Sequence, residues 1–521
     1  MSRVRAYGRP VLARISTFAI DGLESVPVTV EADIRPGLPG FSVVGLADRS
    51  VREARERVRA AIANQGFEFP ARRITVNLAP AWLRKVGPGF DLAMAAAILA
   101  GSGQMEAEEL DRWAIFGELS LGGELRGCRG ALAVAEGARR AGLRGLILPR
   151  ERALEAALVD AIEVAGVECL RDVAQVVGGE PVPSLPSVPR SPGPASDLPE
   201  PDLADVRGHA GPLRALEIAA AGAHNLLMEG PPGTGKTMLA RRLPSILPPL
   251  ARAEALEVTR IHSVAGIHNG GGLVRRRPFR APHHTISPSG LAGGGSVPAP
   301  GEVTLAHRGV LFLDELSEFP RSSLEALRQP LEDGRVGVVR GQHAVLFPSR
   351  FMLVAATNPC PCGFAGAGRS ARPCRCSDAD VERHRRRLSG PLLDRIDLLV
   401  GVQRPSPEEL AGGPLTTSAE ARERVVEARA RQAHRLSAVE ATCNADMDNA
   451  TLPDALGLSS SAREALLDAY RGGQLSARGH HRALRVARTI ADLHGAGTVE
   501  RAHVLETLAL RQHGPAEVLA A

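Results

Sequence analysis

Apolar and polar positions follow different rhythms along the chain. "VPVTVEADI" and "RRITVNLAP" alternate residue by residue, as half-buried strands do. "DRSVREARERVRAAIANQG" repeats its apolar positions at helical spacing and meets a stop at Gly66. "FDLAMAAAILAGSG" is apolar on all sides, which predicts a buried helix. Further on, "NLLMEG", "GVLFLDE" and "FMLVAAT" are short apolar strands separated by helical stretches, the order expected of a parallel α/β sheet. "GRVGVVRGQHAVLF" alternates about a break near Arg340 and Gly341 and predicts a hairpin. From about Pro405 the period is helical, in "SAEARERVVEARARQAHRL", "SSSAREALLDAYR", "GHHRALRVARTIADLHG" and "VERAHVLETLAL".

One stretch has neither rhythm. "EPVPSLPSVPRSPGPASDLPEPDL" is too rich in proline for helix or sheet and predicts an extended linker. The expected organisation is an N-terminal domain over 1–179, a linker over 180–203, an α/β core over 204–404 and a helical domain over 405–521. A chain of 521 residues exceeds a single hydrophobic core, in keeping with that division. No run is long and apolar enough for a membrane span, and the N-terminus lacks the apolar core of a signal peptide. A cytoplasmic protein without a membrane partner is expected. The net charge of +5 permits nucleic-acid binding without establishing it. Only Lys85 and Lys236 are lysines among 63 basic residues, so arginine dominates and the two exceptions gain interest.

Lys236 lies in "GPPGTGKT": Gly230, Pro231, Pro232, Gly233, Thr234, Gly235, Lys236 and Thr237. A strand precedes it and a helix follows, the setting in which G-x-x-x-x-G-K-[ST] wraps backbone N–H groups around phosphate. Lys236 then reaches the β- and γ-phosphates as a compact ammonium, and Thr237 ligates Mg²⁺. "GVLFLDE" delivers Asp314 and Glu315 to the end of another strand. Asp314 is expected to hold the Mg²⁺ and Glu315 to polarise the attacking water. The expected cofactors are therefore ATP and Mg²⁺. Asn358 ends the next strand, where an amide can orient the lytic water.

Directly after Asn358 come Cys360, Cys362, Cys374 and Cys376, four of the seven cysteines within 17 residues. Four thiolates so close can supply the tetrahedral set of a structural zinc site. A free-thiol loop and an occasional disulfide are the alternatives. Cys128, Cys169 and Cys443 read as small packing residues.

"FRAPHHTISPSGLAGGG", "GVLFLDELSEF", "LRQPLEDG", "NPCPCG" and "SGPLLDRIDL" resemble the magnesium-chelatase-like AAA+ ATPases. "DIRPGLPGFSVVGLADRSVREARERVRAAI" and "RRITVNLAPAWLRKVGPGFDL" add a resemblance, from about residue 4 to 512, to the ComM/YifB family, and look foreign to chelatase motor subunits. The resemblance implies an α/β multidomain chain: a Lon-protease-like α+β N-terminal domain, a P-loop AAA+ parallel α/β core and a C-terminal helical lid domain. It implies a hexameric, DNA-dependent ATPase of the helicase type that migrates branches in single-stranded or branched DNA during natural transformation. In such rings Asn358 takes the sensor 1 role. Arg395 reaches the neighbouring subunit's ATP, and Arg478 is sensor 2, with Arg482 and Arg485 as alternatives. Related helicases touch DNA with hairpins before the sensor 1 strand, which makes Arg275, Arg276, Arg277 and Arg340 the candidate DNA contacts. His283 and His284 read as loop or subunit-contact residues, and "ERHRRRL" as an interface or solvated helix face. In "KVGPGFDL", Gly89 stands where the protease has its nucleophilic serine, so no acyl-enzyme can form. Lys85 then reads as a phosphate contact or a packing residue. A chelatase motor and a protein-remodelling ATPase remain the rival functions.

Overall fold

The computed structural model describes residues 11–46, 48–106, 109–182, 185, 201–268, 271–295, 297–340, 343–366, 372–387, 390–437, 441–448 and 456–512. Most of the expected linker lies outside them. The chain forms two compact units, residues 1–193 with 252–274, and residues 194–251 with 275–521.

In the first unit, β1 (Val11–Asp21), β2 (Glu24–Arg35), β3 (Gly40–Val44), β4 (Arg73–Ala79) and β5 (Trp113–Ile115) lead to a small hairpin of β6 (Glu118–Leu119) and β7 (Leu125–Arg126). β8 (Gly145–Pro149) and β9 (Glu163–Val167) complete a seven-stranded sheet of order β3-β4-β2-β1-β5-β8-β9. β1 and β2 run antiparallel in full register, from Val11 opposite Ile34 to Asp21 opposite Glu24. The alternation in β2 and β4 puts one face in the core. Helix Arg49–Asn64 ends one residue before Gln65 and Gly66, where the glycine takes φ +82°. Helix Asp91–Gly101 is buried along its whole length. Its first residue, Asp91, accepts hydrogen bonds from Arg57 at 2.7 and 3.1 Å. Burial pushes the Asp91 carboxyl up to about 6, with Arg57 pulling the other way.

Gly89 precedes this helix, and a Cβ there would stand 2.5 Å from the Phe116 ring. The position has no room for a serine side chain unless the ring moves. Lys85 is fully buried and donates to the carbonyl of Pro80, a packing role. Helix Arg252–Ala265, drawn from within the expected α/β core, belongs to this unit. It is pinned by Glu155, which accepts from Ser263 and Leu132 N–H and lies 3.3 Å from His268.

In the second unit, β10 (Leu226–Glu229) and β11 (Phe279–Arg280) are followed by the two-residue strands β12 (Gly293–Gly294) and β13 (Ala299–Pro300). Then come β14 (Val310–Leu313), β15 (Arg335–Arg340), β16 (His343–Pro348), β17 (Met352–Thr357) and β18 (Leu398–Gly401). Five of them make a parallel sheet of order β11-β14-β17-β10-β18. All strands point the same way, so the loops leaving β10, β11, β14 and β17 gather at one carboxyl edge, where α/β folds bind ligands. β15 and β16 form the expected antiparallel hairpin. Helices Ser418–Arg435, Ser460–Arg471, Ala477–Leu493 and Arg501–Gln512 make the helical C-terminal region.

His224, just before β10, is fully buried, and its Nε2 meets Thr489 Oγ1 of helix Ala477–Leu493 at 2.8 Å. Burial lowers its pKa to about 4, against a weaker opposite pull from Asp397. An unfolded histidine takes its proton near 6.5 and the folded one only near 4. Stability is therefore fully present above the unfolded pKa and is lost as pH falls from 6.5 towards 4. Stability measured by denaturant unfolding at stepped pH should fall by up to about 1.4 kcal/mol more per pH unit in wild type than in His224→Gln across that window. Equal slopes in both proteins would refute the assignment.

Candidate active site and cysteine cluster

The phosphate-loop segment joins β10 to helix Lys236–Ile246, with Gly233 and Gly235 in the left-handed region at φ +75° and +88°. Lys236 is buried at the start of that helix. Its Nζ donates to the carbonyls of Gly230 (2.6 Å) and Pro231 (2.8 Å) and to Asn358 Oδ1 (3.2 Å). Burial lowers the Lys236 pKa, while Asp314, Glu229 and Glu315 pull it back up. Thr234 is buried, and its hydroxyl closes the loop on the Pro231 carbonyl at 2.9 Å. Glu229, the residue before the loop, is pushed up to about 7 by burial, moderated by Arg385 and Lys236.

Asp314 leaves the end of β14, and its Oδ2 accepts from Thr237 Oγ1 at 2.6 Å. These two oxygens are the pair expected at Mg²⁺, and an oxygen-only set suits that hard cation. Glu315 takes a left-handed backbone, φ +52°, that costs a non-glycine residue about 1 kcal/mol. Its N–H donates to Asp314 Oδ1 at 3.0 Å, and its carboxylate lies exposed, 3.6 Å from His284 Nδ1. His284 packs against His283 with ring centres 4.0 Å apart and the rings tilted by 35°. No local pattern puts His284 here, because β11 is only two residues long and its pairing with β14 is invisible without the fold.

Asn358 sits at the end of β17, and its main-chain oxygen lies 3.0 Å from His384 Nε2. His384 is the buried residue of helix Asp378–Arg387, whose Arg383, Arg386 and Arg387 are exposed while Arg385 is half-buried. The histidine within "ERHRRRL" thus turns towards the strand end rather than serving a solvated face.

Arg395 and Arg478 lie in a second cluster. Arg395 is only 11% exposed at its side chain and pairs with Glu332. Arg478 is exposed, 3.9 Å from Asp394. Of the two alternatives, Arg482 lies 3.8 Å from Asp397, and Arg485 donates to the Met447 carbonyl at 2.6 Å.

Among the candidate DNA contacts, Arg275 and Arg276 are exposed. Arg277 instead donates to the carbonyls of Pro248 and Arg308, both at 2.7 Å, and of Pro249 at 3.5 Å. Its guanidinium staples three main-chain segments together. Arg340 closes β15 opposite His343. Its side chain and the hairpin tip at 341–342 lie outside the described residues, and Val339 and Leu346 are exposed on the hairpin.

The four cysteines converge. Cys360 Sγ lies 3.4 Å from Cys362 Sγ and 3.7 Å from Cys374 Sγ; Cys362 and Cys374 are 3.6 Å apart. All four sulfurs lie within 4.8 Å of one another. A tetrahedron with Zn–S bonds of about 2.3 Å has S···S edges of about 3.8 Å, close to these values and far from a disulfide bond of about 2.05 Å. Backbone N–H groups of Ala365 and Cys376 point at Cys360 Sγ (3.3 Å) and Cys374 Sγ (3.5 Å). The donor set therefore fits zinc. Cys128 and Cys443, by contrast, are isolated thiols pushed up to about 12 by burial.

Among the described residues no helix is long and apolar enough to cross a membrane. Comparison with known families finds three matches. "Magnesium chelatase, subunit ChlI" covers residues 202–410, "Subunit ChlI of Mg-chelatase" covers 30–152, and "Magnesium chelatase, subunit ChlI C-terminal" covers 415–511. The middle match changes one expectation, since a family named for the chelatase includes the region read as foreign to it. The chain is 42% identical to competence protein ComM of Haemophilus influenzae over 508 residues, 96% of this chain and 97% of that protein. It is 41% identical to the uncharacterized protein YifB of Escherichia coli over 502 residues, with the same coverage. A Lon protease of Chloroflexus aurantiacus is 30% identical over 169 residues, 29% of this chain and 20% of the protease.

Proposed function

The chain belongs to the ComM/YifB family of magnesium-chelatase-like AAA+ ATPases, and from that premise we propose that it is a cytoplasmic, ATP-hydrolysing ring motor that remodels single-stranded or branched DNA. The observation that supports the motor is the meeting of Lys236, Asn358, Thr237 and Asp314 at one sheet edge. Lys236 holds the terminal phosphates, Thr237 and Asp314 hold Mg²⁺, and Glu315 activates water that Asn358 orients. Arg395 and Arg478 complete a site shared between subunits of a hexamer. The cysteine cluster holds structural zinc. The whole-length match to a protein named for competence supports DNA as the client and branch migration of incoming DNA as the role. Arg275, Arg276 and the β15–β16 hairpin are the proposed contacts, while Arg277 is assigned to structure.

The test is the steady-state ATPase rate without DNA, then with single strands, duplex and a four-way junction, at low and moderate salt. Single-stranded or branched DNA should raise the rate severalfold. The stimulation should fall as salt rises, because phosphate contacts release counterions. A rate indifferent to every DNA would refute the DNA reading. The second reading is a chelatase-type motor, favoured by the three family matches that bear that name. Turnover that depends on a porphyrin and ignores DNA would select it.

A further inference from the structure

We infer that the metal-clamped cysteine loop is a brace for the nucleotide site, so that zinc occupancy sets the affinity for ATP. This rests on the reading of the four cysteines as a zinc site.

The clamp joins two points of the chain. Cys360 and Cys362 follow the end of β17, and Cys374 and Cys376 precede helix Asp378–Arg387. A metal shared by both pairs fixes where that helix begins relative to the strand. The helix in turn brings His384 to the main-chain oxygen of Asn358, at 3.0 Å. Asn358 is thereby gripped on both sides, by Cys360 two residues later and by His384 from the helix. Its amide oxygen is the one that Lys236 Nζ reaches at 3.2 Å.

A second contact reaches the phosphate loop directly. Gly363, one residue after Cys362, has φ +84°, and a Cβ there would stand 2.5 Å from Pro232 Cδ. The Cys360–Gly363 turn, closed by a hydrogen bond from Gly363 N to Cys360 O at 2.9 Å, therefore lies against the loop that wraps the phosphates. Apolar support for this segment is thin: Cys360 is buried and Phe364 half-buried, and the rest of the loop is mostly glycine, alanine, proline and arginine. Without the metal the four cysteines lose their shared tie, leaving Gly363 to its turn hydrogen bond and Asn358 to its contacts with His384 and Lys236.

The test uses the full chain. Purified protein should contain one zinc per chain. Cobalt reconstitution should give the intense thiolate-to-metal absorption of a tetrahedral sulfur site. Release of zinc by a mercurial, followed by thiol regeneration, should weaken binding of a fluorescent ATP analogue at least about fivefold. Adding Zn²⁺ back should restore it. By the reciprocity of linked binding, saturating Mg·ATP should slow loss of zinc to a chelator. Absence of zinc and of the cobalt signature would overturn the zinc reading and the brace with it, leaving the ATPase assignment to Lys236→Ala. Zinc present, with nucleotide affinity unchanged on its release, would overturn the brace alone. If the stripped protein unfolds, Gly363→Ala decides the matter. It keeps all four cysteines and should retain zinc while binding the analogue more weakly; unchanged binding would overturn the brace.

Discussion

Lys236→Ala is expected to abolish nucleotide-dependent activity, lowering ATP turnover by at least about 10²–10³-fold, the effect of removing a principal charge from a phosphoryl-transfer site. Binding of a fluorescent ATP analogue should be lost along with turnover. The ammonium lies in a buried socket of two carbonyls and an amide oxygen, each within 3.2 Å, and is close-packed there. A bound phosphate would have to draw it out of contacts that the folded chain already provides. Lys236→Arg is a sharper test. A planar guanidinium presents its donors in a fixed fork, too wide for a point-charge socket, so arginine should not rescue. That expectation also explains why lysine persists at this position in a chain whose basic residues are otherwise almost all arginine. Phosphate release measured at saturating Mg·ATP decides it. Turnover within about threefold of wild type in Lys236→Ala would remove the phosphate-loop assignment altogether.

What the sequence made legible follows from how local each signal is. The phosphate-loop segment, β14 with Asp314, and β17 with Asn358 are contiguous motifs, each written by a short apolar strand and the residue that ends it. The buried helix Asp91–Gly101 was plain because every residue after Asp91 is apolar or glycine. Contacts made across strands were not legible. His284 meets Glu315 only because β11 lies next to β14, and a two-residue strand leaves no alternation to read. His384 appears as one more polar residue among arginines until its helix is docked. Arg277 shares a run of three arginines with Arg275 and Arg276, yet its neighbours are carbonyls 28 to 31 residues away in the chain. Arg395 sits between two aspartates in sequence but pairs with Glu332 in space. Helix Arg252–Ala265 joins the first unit through a buried carboxylate on Glu155, a partner about a hundred residues upstream that no local pattern reveals. In each case a side chain's role was set by tertiary neighbours, while its type and position along the chain were already known.

Glu315→Gln should separate binding from chemistry. Glutamine keeps the shape and one oxygen but loses the negative charge that polarises water. The Thr237–Asp314 pair at 2.6 Å and the Lys236 contacts do not involve the Glu315 side chain, so Mg·ATP should bind as well as in wild type. The expected result is a fall in kcat of about 10²–10⁴-fold, the usual worth of a general base, with nucleotide affinity unchanged. Lys236→Ala should instead lose binding and turnover together. The structure adds a reason to expect the two to part cleanly. The Glu315 carboxylate is exposed and turned towards His284 Nδ1 at 3.6 Å, on a residue already held in a left-handed backbone. It is a side chain poised at the rim of the site, not part of the cradle. Analogue binding and single-turnover hydrolysis on the same preparation make the comparison. Retained turnover in Glu315→Gln would move the water-activating role to another residue. Loss of binding would show that the carboxylate belongs to the cradle after all, and would break the division of labour between the β14 strand end and the phosphate loop.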